Sequence, residues 1–117
     1  MNETNSTKTD LKVVVIKRSE WGMHAMRNHD GTKCCLGFVA EQLGVLPSKT
    51  LNVGYPSGLL STDKSYFPEW LLETGSHDHD VGKAAMINDN EYLTREEKEV
   101  QLKALFMKHD IDLQFVD

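Results

Sequence analysis

Two adjacent cysteines are the residues in this chain best suited to chemistry. Cys34 and Cys35, the chain's two cysteines, follow Gly31-Thr32-Lys33 and precede an apolar stretch. Thr32 is a suitable N-cap, so the pattern predicts a helix with both cysteines in its first turn. Free backbone N–H groups and the helix dipole lower a cysteine pKa there, which suits a nucleophilic thiolate. The alternative is structural, because free cysteine is among the most buried residue types.

A nucleophilic cysteine needs a histidine base within hydrogen-bond reach, and His77 and His79 are the candidates. The order of thiol and base resembles that of papain-like cysteine hydrolases, which also present their thiol at the start of a helix. Those enzymes carry the histidine in a strand-rich half, whereas the second half of this chain has helical patterns.

The same histidines also permit a metal-binding interpretation. His77-Asp78-His79-Asp80 could chelate a transition metal, with a cysteine completing the site. A polar turn, in which Asp80 caps the following helix, is the simpler interpretation. We therefore expect no metal site and no cofactor.

Large aromatic side chains accumulate in a segment that Gly and Pro keep out of regular structure. Residues 53–70 contain Gly54, Pro56, Gly58 and Pro68. We expect some aromatic rings to fill the core and others to stay exposed as anchors for a partner protein. The candidate partner-binding residues are Tyr55, Tyr66, Phe67 and Trp70.

Composition excludes several classes of protein. The chain has 117 residues and a net charge of −5, which argues against a nucleic-acid binder, since such proteins cluster Lys and Arg. It has no apolar run of about 18 residues that could span a bilayer. Residues 1–10 are polar and lack the apolar centre of a signal peptide. The sequence therefore predicts a cytoplasmic protein with no membrane partner, in which thiols stay reduced.

The elements that must position these residues are predicted from periodicity and capping signals. Residues 11–17 form a β-branched run typical of a strand buried on both faces, and residues 111–116 alternate like a half-buried strand. A helix over 34–43 ends at Gly44. Thr94 and Glu97 form a capping box that starts the last helix. Weaker patterns predict a helical turn within 19–26, a third strand at 50–53, a helical turn at 69–73 and a helix over 80–87.

These elements predict an α+β fold. Strands from the two ends of the chain form a small sheet, packed with three to four helices. Residues 1–10 are expected to be a disordered tail, and residues 11–117 a single domain.

Three motifs together resemble small uncharacterised proteins encoded by phages and prophages. They are Lys17-Arg18-Ser19-Glu20-Trp21, the GxxCCLG core at 31–37, and Met86-Ile87-Asn88-Asp89 before a charged helix. The resemblance implies a small accessory protein in the cytoplasm of a host bacterium, of a class that often binds and disables host or defence proteins. It implies no catalytic residue.

The sequence thus leaves two hypotheses from different classes. The first is an accessory protein that binds, and inhibits, a host or defence protein. The second is a cysteine-dependent hydrolase or transferase, with Cys34 or Cys35 as nucleophile and His77 or His79 as base. An open cleft around the thiol would favour the enzyme, and an exposed apolar surface would favour the binder.

Overall fold

Two short strands from the two ends of the described chain form the sheet. A computed structural model describes residues 11–117, and the predicted disordered tail at 1–10 lies outside the described residues. Strand β1 (Val13–Lys17) pairs in parallel with β2 (Asp112–Val116), with Val13 opposite Asp112. The helices between them are α1 (Cys35–Leu43), α2 (Pro47–Thr50), α3 (Ser61–Lys64), α4 (Asp80–Asp89) and α5 (Arg95–Met107).

This architecture confirms the α+β prediction. The number of helices exceeds the three to four expected, because α2 and α3, of four residues each, were not predicted. Helix α3 lies in the 53–70 segment, which was expected to stay out of regular structure. The 53–70 segment also has a 3-10 turn at Pro56–Gly58, and the helical turn predicted at 69–73 is present as a 3-10 turn at Glu69–Leu71. No helix within residues 11–117 has the length and apolar character needed to cross a membrane.

Strand β1 is buried on one face, and the prediction of burial on both faces was wrong. Val14 and Ile16 are fully buried, whereas Val13 and Val15 are about two-fifths exposed. The physical reason is that α1 and α5 pack against a single face of the sheet. The side chain of Gln42 covers the free edge of β1, accepting a hydrogen bond from Val15 N and donating one to Val13 O. This amide occupies the edge at which a further strand would pair.

Helix α1 begins one residue later than predicted, and its N-cap is Cys34 rather than Thr32. The chain is still extended at Lys33, which forms a bridge with Trp21. Thr32 belongs to the preceding turn, where its backbone N–H and its hydroxyl both bond to Asp30. The end of the helix is as predicted: Gly44 adopts a φ of 97°, which glycine accepts without strain.

Two weakly patterned elements are replaced by long-range backbone pairing. The helical turn predicted within 19–26 is confined to a 3-10 turn at Arg18–Glu20. The strand predicted at 50–53 is reduced to one bridge between Arg27 and Leu51. Met26 N donates to Val53 O, so these backbone groups pair with each other across the fold and are not available for a local helix.

Helices α4 and α5 close the core. Helix α4 has His79 as its N-cap residue, with no capping bond from the side chain. The prediction that Asp80 caps this helix was wrong, because Asp80 is its first residue. Helix α5 has the predicted capping box with both hydrogen bonds present. The largest fully buried side chains are Phe67, Phe106, Ile16, Met26, Leu36, Leu71, Leu102, Ile111, Leu113, Val14, Val39 and Val81. The core thus joins the sheet to α1, α4, α5 and the 59–71 segment.

Candidate functional site

Both cysteine thiols lie in the core. Cys34 is 3% exposed and Cys35 is fully buried, with its sulfur 3.9 Å from the carbonyl oxygen of Ala84. Burial raises the pKa of the Cys34 thiol to about 11 and the pKa of the Cys35 thiol well above its usual value. The backbone N–H groups of Gly37 and Leu36 lower the pKa of Cys34, as expected at a helix start, but burial outweighs them. The prediction of a depressed pKa was therefore wrong.

The two candidate histidines occupy the turn before α4. His77 is highly exposed, with its ring 3.8 Å from Asp78. His79 is half-buried, and its ring nitrogens lie 3.2 Å from the Thr74 hydroxyl and 3.4 Å from Glu73. Neither ring has a thiol among its hydrogen-bond partners in the described part of the chain. Within residues 11–117 no group of three His, Cys, Asp or Glu side chains is arranged to hold a metal ion.

The four candidate partner-binding aromatics differ in exposure. Phe67 is fully buried and belongs to the core. Tyr55 is half-buried, with its ring packed so closely on Gly75 that a side chain there would overlap it. Trp70 is also half-buried, because its ring meets Phe106 edge-on and stacks on His109 at 3.8 Å. Tyr66 is 41% exposed, which leaves its ring accessible to a partner.

The segment around Tyr66 is fixed to the core at both ends. Leu59 is 6% exposed and Phe67 is fully buried, whereas the neighbouring Leu60 and Tyr66 are 63% and 41% exposed. Helix α3 spans the distance between them. We call residues 59–67 the anchored loop. It holds two large apolar side chains toward solvent on a backbone that its own buried residues keep in place.

Asn88 links three parts of the structure beneath the surface. Its side-chain oxygen accepts hydrogen bonds from Trp21 Nε1 at 2.6 Å and from the backbone N–H of Cys35 at 3.0 Å. Its amide nitrogen donates to Gly22 O and to Asp89. The cysteine motif and the Ile87-Asn88-Asp89 motif, which are far apart in sequence, therefore meet through one buried side chain.

An open polar cleft lies beside Asn88. It has a volume of about 740 Å³ and lies between the 21–32 segment and the first turns of α5. Its lining includes Trp21, Met23, His24, His29, Arg95 and Lys98. The Arg95 guanidinium lies 4.6 Å from the centre of the Trp21 ring and donates to the carbonyl oxygens of Arg18 and Trp21. Lys98 Nζ donates to Asn88 O at 2.8 Å.

The sequence analysis did not single out the residues of this cleft. A signal was available for two of them. Lys98 stands four residues before Leu102 on α5, and Asn88 stands four after Ala84 on α4, so each falls on an apolar helix face. A polar residue on such a face is buried and must have a partner. The positions of His24 and His29 carried no comparable signal, because they depend on loop conformation.

Comparisons with known protein families, with curated proteins and with solved structures find no match for this chain.

Proposed function

We propose that this chain is a small accessory protein that acts by binding another protein through the anchored loop. The supporting observation is the exposure of Leu60 and Tyr66 on a segment whose two ends, Leu59 and Phe67, are buried. As the resemblance to phage proteins implies, the partner is a host or defence protein, and binding inhibits it. The setting is the cytoplasm of the host bacterium.

The physical case for this surface is its low entropic cost of binding. Tyrosine is enriched in binding hot spots, because it offers a large contact area with few rotatable bonds. The anchored loop is already ordered by its buried ends, so docking does not require the loop to fold. The net charge of −5 supports a protein partner over a nucleic acid.

The cysteine-dependent hydrolase has less support from the site. A catalytic thiol must reach a substrate and ionise near neutral pH. Here both thiols are buried and have a raised pKa, and the candidate histidines bond to other groups. We therefore place both cysteines in a structural role within this proposal.

Photo-cross-linking tests the proposal. A photoreactive phenylalanine analogue is placed at position 66, or at position 92 as a matched control, because Tyr92 is 97% exposed and lies outside the anchored loop. We expect the same bacterial protein to cross-link from position 66 and not from 92. Tyr66→Ala should weaken capture of that protein by about tenfold or more, as expected for a hot spot.

Tyr92→Ala should leave capture unchanged, and circular dichroism should confirm that both variants fold. Equal capture by wild type and Tyr66→Ala would show that the anchored loop does not bind the partner. Loss of capture in Cys34→Ser alone would instead favour thiol chemistry.

A further inference from the structure

Two cations in the polar cleft have no acidic partner. No carboxylate of residues 11–117 lies within 4 Å of the Arg95 guanidinium or the Lys98 ammonium, although Arg18, Arg27 and Lys33 nearby all have such partners. The chain carries an excess of acidic residues, so carboxylates are not scarce. The two cations therefore have no direct ion pair, and the acidic groups around the cleft, Asp30 in its lining and Asp89 beside His24, have hydrogen-bond partners of their own.

Two buried lysines of this structure differ in whether a carboxylate contacts the ammonium group. Lys33 is 3% exposed and its ammonium lies 3.2 Å from Glu20 and 2.8 Å from Glu41. Lys98 is 9% exposed, and its ammonium contacts only Asn88 O and, at 3.9 Å, the sulfur of Met23. A buried charge is costly unless it is paired. Lys98 has a carbonyl partner but no counter-charge of its own.

The structural role of these cations leaves part of their hydrogen-bonding capacity unused. Lys98 donates to a carbonyl in the last turn of α4, as lysines often do at helix ends. Arg95 donates to two carbonyls. A guanidinium has five N–H donors and an ammonium three, so both retain donors after these bonds. Carbonyl oxygens position the two cations without neutralising them.

Asp30 is the acidic residue in the cleft lining, and its carboxylate is directed to another part of the loop. One oxygen accepts hydrogen bonds from the backbone N–H and the hydroxyl of Thr32, at 2.9 and 2.7 Å. These bonds close the turn before α1. The carboxylate thus has its own partners, and it is not paired with Arg95 or Lys98.

We propose that the cleft binds a small molecule through a carboxylate or phosphate group held by Arg95 and Lys98. The anionic group would accept charge-assisted hydrogen bonds from these two side chains, and it would supply the counter-charge that Lys98 lacks. The volume of about 740 Å³ falls within the range of small-molecule sites. The site is separate from the anchored loop, so its failure would leave the proposed protein interaction untouched.

Thermal unfolding with defined anions tests this site. Inorganic phosphate and succinate are titrated against sodium chloride at equal ionic strength, which separates specific binding from screening. We expect one of the two anions to raise the melting temperature in a saturable way, and the identity of that anion distinguishes a phosphate from a carboxylate ligand. Amide NMR shifts should be confined to residues 22–32 and the start of α5.

Two cleft variants and one matched control complete the test. Lys98→Met and the more exposed Arg95→Gln should each weaken anion binding by about tenfold or more, whereas Lys98→Arg should retain it. The control is Lys103→Met, because Lys103 lies on the same helix and also bonds to a backbone carbonyl, at Leu113, outside the cleft. The proposal is overturned if neither anion gives a saturable shift, or if both cleft variants keep the wild-type affinity.

Discussion

Asn88 illustrates how much of this fold depends on one polar side chain. It is 1% exposed, and its four hydrogen bonds satisfy the Trp21 indole and the first backbone N–H of α1. Buried donors without partners cost about 1–3 kcal/mol each. Because the backbone N–H of Cys35 is one of these donors, Asn88 holds the chain at 34–35 against α4, where both cysteines are buried.

The two cysteines should respond differently to serine. Cys35 is fully buried, and its sulfur has only a long contact with Ala84 O, so Cys35→Ser should reduce the free energy of unfolding by about 1–3 kcal/mol. Cys34 is the N-cap of α1, a position that serine favours, so Cys34→Ser should be close to neutral. Urea unfolding of both variants measures the difference. Equal losses at the two positions, or rapid alkylation of both native thiols by iodoacetamide, would contradict this account.

At the scale of elements, the sequence correctly predicted the helix ends that depend on neighbouring residues in the chain. The capping box of α5 and the glycine that ends α1 depend on residues within one turn, and both were predicted at their observed positions. The start of α1 and the 19–26 segment depend on hydrogen bonds to distant residues, such as Lys33 N to Glu20 O. No pattern within those segments reveals such a partner, which is why both predictions were wrong.

The start of α5 gives a measurable test of a local signal. The Thr94 side chain accepts from Glu97 N at 3.1 Å, and the Glu97 carboxylate accepts from Thr94 N at 2.8 Å. Thr94→Ala removes one of these bonds and should reduce the free energy of unfolding by about 0.5–2 kcal/mol. Thr94→Ser retains the hydroxyl and is the matched control. An unchanged urea midpoint for Thr94→Ala would mean that the cap contributes nothing to stability.

At the scale of the whole molecule, charged side chains connect parts of the chain that are far apart in sequence. Arg18, after β1, bonds to Glu99 on α5 and to Asp117 at the end of the chain. Asp80, at the start of α4, lies 2.7 Å from His109 Nε2 and 3.4 Å from Lys108 Nζ. These contacts bring α4, α5 and the terminal strands together around the core.

The same long-range geometry explains why the candidate site could be predicted only in part. The sequence analysis named Tyr66 as a candidate, because its segment has more large apolar residues than a small core can accept, and the structure leaves Tyr66 exposed. The cleft needs the 21–32 loop to lie beside the first turns of α5, which are more than sixty residues away in sequence. The position of Lys98 on the apolar face of α5 indicated a buried charge, but it did not indicate which part of the structure the ammonium group would contact.

Acid should destabilise the fold through carboxylates with lowered pKa. The hydrogen bond from His109 and the nearby Lys108 lower the pKa of Asp80, and burial only partly opposes them. The hydrogen bond from Arg18 lowers the pKa of Glu99. A carboxylate with a lower pKa in the folded state contributes stability above its unfolded pKa, and this contribution is lost as the pH falls through the folded pKa. The melting temperature should therefore fall steadily between about pH 5 and about pH 3.

Asp80→Asn should separate this contribution from the general effect of charge. The variant should melt below wild type at about pH 5.5, and the gap should narrow as the pH falls from the ordinary aspartate pKa, about 3.9, through the lower folded-state pKa of Asp80. Asp78→Asn is the matched control, because Asp78 lies in the same turn with its side chain 81% exposed. Its melting curve should follow wild type at every pH. A gap between Asp80→Asn and wild type that stays constant throughout this acid range would show that Asp80 stabilises the fold by packing rather than by its charge.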